Sequence, residues 1–390
     1  MPDPPKTTRR AFLAGRSAAE ALAGALDEPP LPLPVPASTI GAQPGSHLLS
    51  VSREAMACLF EIVFDAAQYR EQTEAAVAAL DRVEALESQL TVYRQSSELM
   101  HINRQAATQP VAVERGLFEL LERARTLSRE TGGAFDITTG RLSKTWGFYR
   151  RQGCLPSADE ITAALAGVGI DNIEFNDAAS TLRFLHPNIE LNLGAIGKGY
   201  TLDRAAAVLE TAGIHDFLLH GGNSSVLARG KRILDSRFSI LDSDEAAKPN
   251  NQSAIHNPQS AIPPGWSIAL RHPLRPDQRL AEFILRDQAL GTSGSGAQFF
   301  HHQGRRYGHI LDPRTGWPAQ AVLSATAIAP TAEQADALST AFYVLGLAGT
   351  QQYCDQHPNI AALLCTATNS GAGIEMHPIH LADDAWRALA

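Results

Sequence analysis

Residues 190–204 read "ELNLGAIGKGYTLDR", and this stretch decides how the chain is interpreted. An alternating apolar run is followed by glycines at 194, 197 and 199 and then by a helix-like segment. A strand that stops at glycines and opens a helix leaves unpaired backbone N–H groups at the positive end of the helix dipole, where anions bind. Lys198 in the first turn opposes that dipole, which indicates a negative partner. The stretch predicts either an anion-binding turn or a tight strand-to-helix connection.

The two common nucleotide motifs do not fit this stretch. The Walker A loop requires G-x-x-x-x-G-K-[ST], whereas Gly197 and Lys198 are followed by Gly199, and Asn192 stands where a glycine is needed. The Rossmann fingerprint requires G-x-G-x-x-G, and here the glycine spacing is reversed. An anion bound here would therefore be held by a turn that differs from both the Walker A loop and the Rossmann turn.

Composition narrows the class of protein. A chain of 390 residues can bury a sizeable core, and its 19% charged and 44% hydrophobic residues are typical of globular proteins. A net charge of −8 and the lack of basic clusters argue against nucleic acid as a partner. The four cysteines form no CxxC pair, which argues against a cysteine zinc site. No apolar run reaches about 18 residues, so we expect no transmembrane segment.

The chain is expected to divide into an N-terminal segment and one domain. Residues 1–47 are proline-rich and expected to be disordered, and residues 48–390 form the folded domain, with a polar surface insertion at 242–265 also expected to be disordered. Arg9 and Arg10 resemble a Tat export signal, but Arg16 and Glu20 interrupt its apolar part. Two locations stay open: export to the periplasm through a Tat-like signal, or the cytoplasm if the segment is only a solvated helix.

Strand and helix patterns are mixed along the folded part. Helical composition is found at 66–90, 114–130, 159–165, 198–212 and 331–345. The segment "TLRFLHPNIELNL" at 181–193 predicts a hairpin whose turn lies at residues 186–188. Because the strands and helices do not alternate in a βαβ rhythm, the fold class is expected to be α+β.

The segment "LNLGAIGKGYTLDRAA" resembles the glycine-rich core motif of the ApbE-type FAD:protein FMN transferases. Seven further segments are similar to that family in the same order, and the resemblance extends from residue 48 to the C-terminus without the 242–265 insertion. They are "MACLFEI", "LTVYRQSSELMHIN", "GGAFDITTGRLSKTWGF", "LLHGGNSSVLARG", "GTSGSGAQFF", "HILDPRTGWP" and "TAEQADALSTAFYVLG".

The resemblance implies a fold and an activity. The fold would be ApbE-like, with two subdomains of mixed or antiparallel sheet, packed helices and a flavin-dinucleotide cleft between them. The activity would be magnesium-dependent transfer of FMN from FAD, as substrate, to a Thr or Ser hydroxyl of a target protein, with release of AMP. The partners would be FAD and an acceptor protein that carries a Thr/Ser flavinylation motif, expected to be an electron-transfer subunit.

Metal and proton sites are expected on two segments. Asp336 and Thr340 lie four residues apart on a predicted helix, so both oxygens project from one face and suit a hard Mg²⁺ ion. By resemblance the backbone carbonyl of Ala195 is the third ligand. His309 is the expected general base, because its usual pKa near 6.5 suits proton transfer around neutral pH. Asp312 is expected to orient His309 or its loop.

The resemblance also implies the residues that contact the flavin. Tyr93 would offer a flat face for stacking, Met56 an adaptable apolar lid, and Asp136 an acceptor for a flavin or ribose group. The full set is Met56, Tyr93, Ala134, Phe135, Asp136, Asn192, Lys198, Ile310 and Ser339.

Three positions depart from the family pattern. Many members carry aspartate where this chain has Asn192 and Asn223, and an acidic residue where it has Ser295. Loss of the charge at Asn192 is expected to weaken a buried contact to FAD by about 1–3 kcal/mol. Two alternative functions stay open: an FAD pyrophosphatase that releases FMN and AMP, and a flavin-binding protein without catalysis.

Overall fold

The structure is a computed structural model, and it describes residues 39–42, 48–230, 265–294, 296, 298–368 and 373–389. The predicted N-terminal segment therefore lies outside the described residues except for 39–42, which form a strand, and the predicted insertion lies outside them except for residue 265. Within the described part of the chain, no helix is both long and apolar enough to span a membrane.

Strands and helices alternate irregularly along the chain. The strands are β1 (Thr39–Ala42), β2 (Leu48–Ala55), β3 (Cys58–Asp65), β4 (Val111–Ala112), β5 (Ile173–Asn176), β6 (Thr181–Phe184), β7 (Phe217–Gly221), β8 (Ser225–Arg229), β9 (Trp266–His272), β10 (Arg275–Leu285), β11 (Ala289–Gly294), β12 (Phe299–His302), β13 (Arg305–Gly308), β14 (Ser324–Ala329), β15 (Ala361–Ala367), β16 (Ile374–Ile379) and β17 (Trp386–Ala388). The helices are α1 (Thr73–Leu90), α2 (Glu98–Gln105), α3 (Arg115–Glu130), α4 (Gly140–Thr145), α5 (Ala158–Leu165), α6 (Gly197–Thr211) and α7 (Ala332–Gln356).

A nine-stranded sheet forms the centre of the domain. Its order is β1-β2-β3-β7-β8-β11-β14-β15-β16, and every neighbouring pair is antiparallel. Phe60 and Ile62 of β3 belong to the core that includes the apolar faces of the helices, whereas Val63 belongs to a second core with Trp266 and Phe283 of the small sheet β17-β10-β9. Burying each such side chain stabilises the fold by about 1.5–3 kcal/mol. The alternation within each strand therefore builds two apolar layers.

The helices α6 and α7 cross in backbone contact. A Cβ atom at Gly199 would lie 2.0 Å from the carbonyl oxygen of Ala332, so only glycine allows this approach. Thr331 begins α7, and its side chain accepts a hydrogen bond from the Gln334 N–H at 3.3 Å. Gly346 interrupts the helix with a φ of 68°, which explains why the sequence pattern ended it at 345. The first turns of both helices are thereby fixed against each other.

The predicted fold class is confirmed: the domain is α+β with antiparallel sheets. The predicted hairpin at 181–193 is wrong. Strand β6 pairs with β5 and β4, whereas the chain after residue 188 pairs with the 137–140 segment, through an Asn192 N–H bond to the carbonyl of Ile137. Alternating apolar residues indicate an extended, half-buried chain, but they do not select the partner.

Candidate active site

A cavity of about 650 Å³ opens where the ends of β11 and β14 meet the first turn of α6 and the second and third turns of α7. Twelve of the thirteen predicted site residues line it: Tyr93, Ala134, Phe135, Asp136, Asn192, Ala195, Lys198, His309, Ile310, Asp336, Ser339 and Thr340. Met56 is absent from this lining. It is half-buried against the helix core, and its sulfur accepts from the Thr201 hydroxyl at 3.8 Å. Its role as a lid stays a prediction.

The carboxylate of Asp336 is held by two other elements. Its Oδ2 accepts from the backbone N–H of Gly199 at 2.7 Å, and its Oδ1 accepts from the Ser225 hydroxyl at 2.5 Å. The side chain is buried, with 5% of its surface exposed. A carboxylate has about four acceptor positions, so each oxygen keeps one free position. The carboxylate is locked in direction and still able to bind a cation.

A cluster of hydroxyl groups lies one turn further along α7. The Ser293 hydroxyl from β11 is 2.9 Å from the Ser339 hydroxyl and 3.1 Å from that of Thr340. The Ser339 and Thr340 hydroxyls also reach the carbonyl of Asp336, at 2.9 and 3.4 Å. We call the surface formed by Lys198, Asp336, Ser339 and Thr340 the helix side of the cavity.

The available donors suit a hard cation. Asp336, Thr340 and the carbonyl of Ala195 offer only oxygen atoms, and all three residues line the same cavity. Among the described residues no group of three His, Cys, Asp or Glu side chains is placed to hold a metal ion. Mg²⁺ is commonly bound through one or two carboxylates, with water and substrate phosphate completing its shell. The residues present therefore fit magnesium.

The first turn of α6 provides a site for an anion. Ile196, the residue that precedes the helix, supplies no side-chain cap, and its neighbours Ala195 and Lys198 line the cavity. The positive end of the helix dipole therefore lies at the cavity. Lys198 is half-buried in this turn and, within the described residues, makes no ion pair. Of the two interpretations of the glycine stretch, this geometry favours the anion-binding turn.

His309 is held as a neutral base. Its Nδ1 lies 3.1 Å from the carbonyl oxygen of Gln298, and because a carbonyl can only accept, Nδ1 carries the proton and Nε2 keeps a lone pair. Burial lowers the pKa of His309 below its usual value, and the positive charge of Lys198 lowers it further. Asp312 forms a two-bond pair with Arg314 at 2.9 and 2.8 Å, so it organises the loop.

Aromatic rings line another part of the cavity. Tyr93 is 52% exposed and stacks on Tyr149, with ring centroids 4.9 Å apart and an interplanar angle of 29°. The Tyr149 hydroxyl donates to the carbonyl of Val92 at 2.8 Å, and Phe148 meets the His309 ring edge-on. We call the surface formed by Tyr93, Phe148, Tyr149 and His309 the aromatic side.

The predicted ligand contact of the Asp136 carboxylate needs correction. Its Oδ1 accepts from the N–H and the hydroxyl of Thr138 at 2.8 and 2.5 Å, and its Oδ2 accepts from the Ser128 hydroxyl at 3.1 Å and the Ile170 N–H at 3.0 Å. These four bonds fill the acceptor positions of the carboxylate. The side chain therefore holds the loop that carries Ala134 and Phe135 at the cavity.

The three departures from the family pattern differ in their surroundings. The Asn192 Oδ1 accepts from the Gly194 N–H at 2.9 Å, which shapes the glycine turn, and an aspartate could accept the same bond. Asn223 lines the cavity, and Ser295 lies outside the described residues. Neutral Asn192 therefore keeps the turn, and the cavity has one negative charge fewer than it would have with aspartate at this position.

Several lining or orienting residues were missed in the sequence. Ser225 and Ser293 lie inside motifs that were matched, but serine has no spacing pattern that marks it as a partner of a distant carboxylate. Tyr149 lies at the end of "KTWGFYR", where the aromatic cluster reads as core. One signal was available for Ser225: it is a polar residue at the start of the apolar run "SVLA", and such a residue needs a hydrogen-bond partner when it is buried.

The fold defines the class of protein: it is the fold of the ApbE proteins. A solved ApbE protein from Thermotoga maritima is similar with a TM-score of 0.68 and 27% identity, covering 84% of this chain and 96% of that chain. The flavin transferase ApbE from Vibrio cholerae has the same fold, with a TM-score of 0.67 and 23% identity over 85% of this chain and 97% of that one.

The chain belongs to the ApbE family, whose family model matches residues 56–364. An FAD:protein FMN transferase from Treponema pallidum is 31% identical over 298 residues, which are 73% of this chain and 76% of the relative. The protein of that name from Haemophilus influenzae is 26% identical over 346 residues, covering 86% and 91%. The resemblance seen in the sequence and the prediction of a transferase are confirmed.

Proposed function

We propose that this protein transfers FMN from FAD to a Thr or Ser hydroxyl of an acceptor protein, with magnesium, and releases AMP. The observation that carries the proposal is the Asp336–Gly199 hydrogen bond of 2.7 Å, which joins the proposed cation ligand to the anion-binding turn within one cavity. The names of the curated relatives support the same activity.

The helix side would hold the pyrophosphate of FAD. Asp336, Thr340 and the carbonyl of Ala195 would hold Mg²⁺, which supplies neutralisation of the charge that develops on the phosphate oxygens. Lys198 would bind the phosphate oxygens that face it through its ammonium and its backbone N–H, because the N–H groups of Gly197 and Gly199 already have acceptors within the protein. The two helices thereby bring positive charge to both phosphates.

The aromatic side would hold the flavin ring and the proton acceptor. The stacked pair of Tyr93 and Tyr149 offers a flat surface for an isoalloxazine ring. The acceptor oxygen would attack the phosphorus of the FMN half, its proton would pass to Nε2 of His309, and the bond from that phosphorus to the oxygen bridging to AMP would break. FMN would end as a phosphoester and AMP as the leaving group.

The test is transfer to a defined acceptor. The full chain is incubated with FAD and Mg²⁺, with an electron-transfer subunit that carries a Thr/Ser flavinylation motif, and with the same subunit whose acceptor residue is changed to Ala. Flavin fluorescence of the first acceptor in a denaturing gel, abolished by EDTA and by the Ala change, is the expected result. AMP and free FMN without labelled acceptor would indicate a pyrophosphatase, and FAD binding without AMP would indicate a non-catalytic binder.

A further inference from the structure

The helices α6 and α7 cap each other. Asp203, one turn beyond Gly199 in α6, accepts from the backbone N–H groups of Ala332 at 3.0 Å and Glu333 at 2.9 Å, the first two residues of α7. In return, Asp336 in the second turn of α7 accepts from the Gly199 N–H in the first turn of α6. Each carboxylate satisfies N–H groups that its partner helix leaves without an internal acceptor.

Asp203 and Thr331 together provide acceptors for the first three backbone N–H groups of α7, which have no acceptor within the helix. Thr331 accepts from the Gln334 N–H, and the first intrahelical bond joins the Ala335 N–H to the Thr331 carbonyl at 3.1 Å. Asp203 therefore supplies two of the three caps of α7, and these two caps come from α6. Burial raises the pKa of Asp203 to about 6, so at neutral pH it is ionised and both oxygens accept.

The crossing is fixed at the backbone contact. The Cα of Gly199 already lies against the first carbonyl of α7, and Asp203 and Asp336, each one turn further along its own helix, bond back to the backbone at this contact. Loss of the Asp203 bonds would free the first turn of α7. The Asp336 carboxylate, three residues further on, would then change its position relative to Lys198.

Asp203 does not contact the cavity that carries the chemistry. It lines a second cavity of about 540 Å³ at the start of α7, next to Arg123 and Glu333, whose side chains form a two-bond ion pair at 2.7 and 2.8 Å. Arg229 is the other charged neighbour of its carboxylate. Any effect of Asp203 on transfer must therefore pass through the helix pair.

We propose that Asp203 is a positioning residue for flavin transfer, which fixes α7 against α6 so that the Asp336 carboxylate faces the anion-binding turn. This inference rests on the proposed function for its kinetic consequence, whereas its structural consequence can be measured in the protein without substrate.

The matched variants are Asp203→Ala, Asp203→Asn and Thr331→Ala. The first removes both bonds between the helices, the second keeps one acceptor oxygen, and the third removes one cap of α7 without touching α6. We expect Asp203→Ala to lower kcat and raise the Mg²⁺ concentration needed for half-maximal rate about 10- to 100-fold, as found for residues that orient a metal ligand. Asp203→Asn keeps one bond and turns its NH2 group toward the other N–H, so its effect should lie between that of Asp203→Ala and none. Thr331→Ala should transfer at nearly the wild-type rate, and the KM for FAD should change little in all three variants.

Hydrogen exchange without FAD or metal separates this inference from the proposed function. Asp203→Ala should raise exchange in residues 197–202 and in 332–336, whereas Thr331→Ala should raise it only in 332–336. If Asp203→Ala leaves residues 197–202 as protected as in wild type, the coupling of the helices is wrong, whether or not the protein transfers FMN. Transfer by Asp203→Ala with an unchanged Mg²⁺ requirement would also overturn the inference, and an inactive wild type with the expected exchange would reject only the proposed function.

Discussion

The two sides of the cavity are held in different ways. On the helix side, Asp336 and Ser339 are buried, and the side chains of Asp336, Ser339 and Thr340 each bond to another element or to the preceding turn. On the aromatic side, Tyr93 is half-exposed and is positioned by stacking on Tyr149 rather than by hydrogen bonds of its ring. From this difference we expect the proposed chemistry to depend on the helix side and the aromatic side to contribute mainly binding.

Removing the carboxylate of the helix side is the strongest test of this difference. We expect Asp336→Ala to lower flavin transfer about 1,000-fold, or about 4 kcal/mol in activation free energy, because the proposed cation, which would neutralise the developing phosphate charge, loses its carboxylate ligand. Rates of AMP release and acceptor labelling measure the change, and circular dichroism checks that the variant is folded. Glu333→Gln, one turn earlier in α7 and paired with Arg123, is the control and should retain transfer.

An Asp336→Ala variant that releases AMP at the wild-type rate would show that this carboxylate does not bind the cation. If the Glu333→Gln control lost as much activity, the effect would belong to the stability of α7 and not to the chemistry.

The backbone contact of the helix side can be tested through stability. Gly199→Ala places a Cβ 2.0 Å from the Ala332 carbonyl oxygen, so we expect the free energy of unfolding to fall by about 3 kcal/mol. Gly197→Ala is the matched control in the same turn, since its Cβ would meet only Leu193 at 3.8 Å, and it should change stability by less than about 1 kcal/mol. Urea unfolding measures both, and equal losses would contradict the close crossing.

His309 belongs to the aromatic side but is the proposed general base, so it tests whether the two sides differ as expected. His309→Gln should lower transfer about 100-fold near neutral pH, because the acceptor proton loses its base. The pKa of His309 is lowered by burial, so wild-type activity should persist at pH 7 and fall as the pH drops through a midpoint below 6.5. His301→Gln, on the exposed strand β12, is the control.

The same shift has a consequence for stability. The folded state disfavours protonated His309, so the unfolded chain binds the proton more readily and stability falls as the pH decreases below about 6.5. His309→Gln should remove this contribution to the pH dependence of the free energy of unfolding.

The transfer rate gives the outcome that would contradict the role of His309 as the base. If the transfer rates of His309→Gln and wild type are equal from pH 5 to 8, another group accepts the proton.

Much of the site was predictable because the sequence carries its chemistry in matched motifs. Asp336 and Thr340 share a helix face that spacing alone identifies, and the turn at 194–199 is a local feature. The segment that pairs with residues 189–193 could not be predicted. Alternating apolar and polar residues show which side chains are buried, but they do not show which segment the chain pairs with or in which register. The hydrogen bonds of the Asp136 carboxylate could not be predicted either, because Ser128 and Ile170 come close to it only in the folded chain.

The smallest expected effect concerns the exposed ring on the aromatic side. Tyr93→Ala should raise the KM for FAD about 2- to 10-fold and leave kcat nearly unchanged. This change corresponds to the loss of one aromatic stacking interaction, which contributes about 0.5–1.5 kcal/mol. Tyr93→Phe keeps the ring that stacks on Tyr149 and should behave as wild type. Steady-state kinetics at saturating acceptor measures the split. A fall in kcat with an unchanged KM would mean that Tyr93 acts on the reacting phosphate, and the division of labour between the two sides would then be wrong.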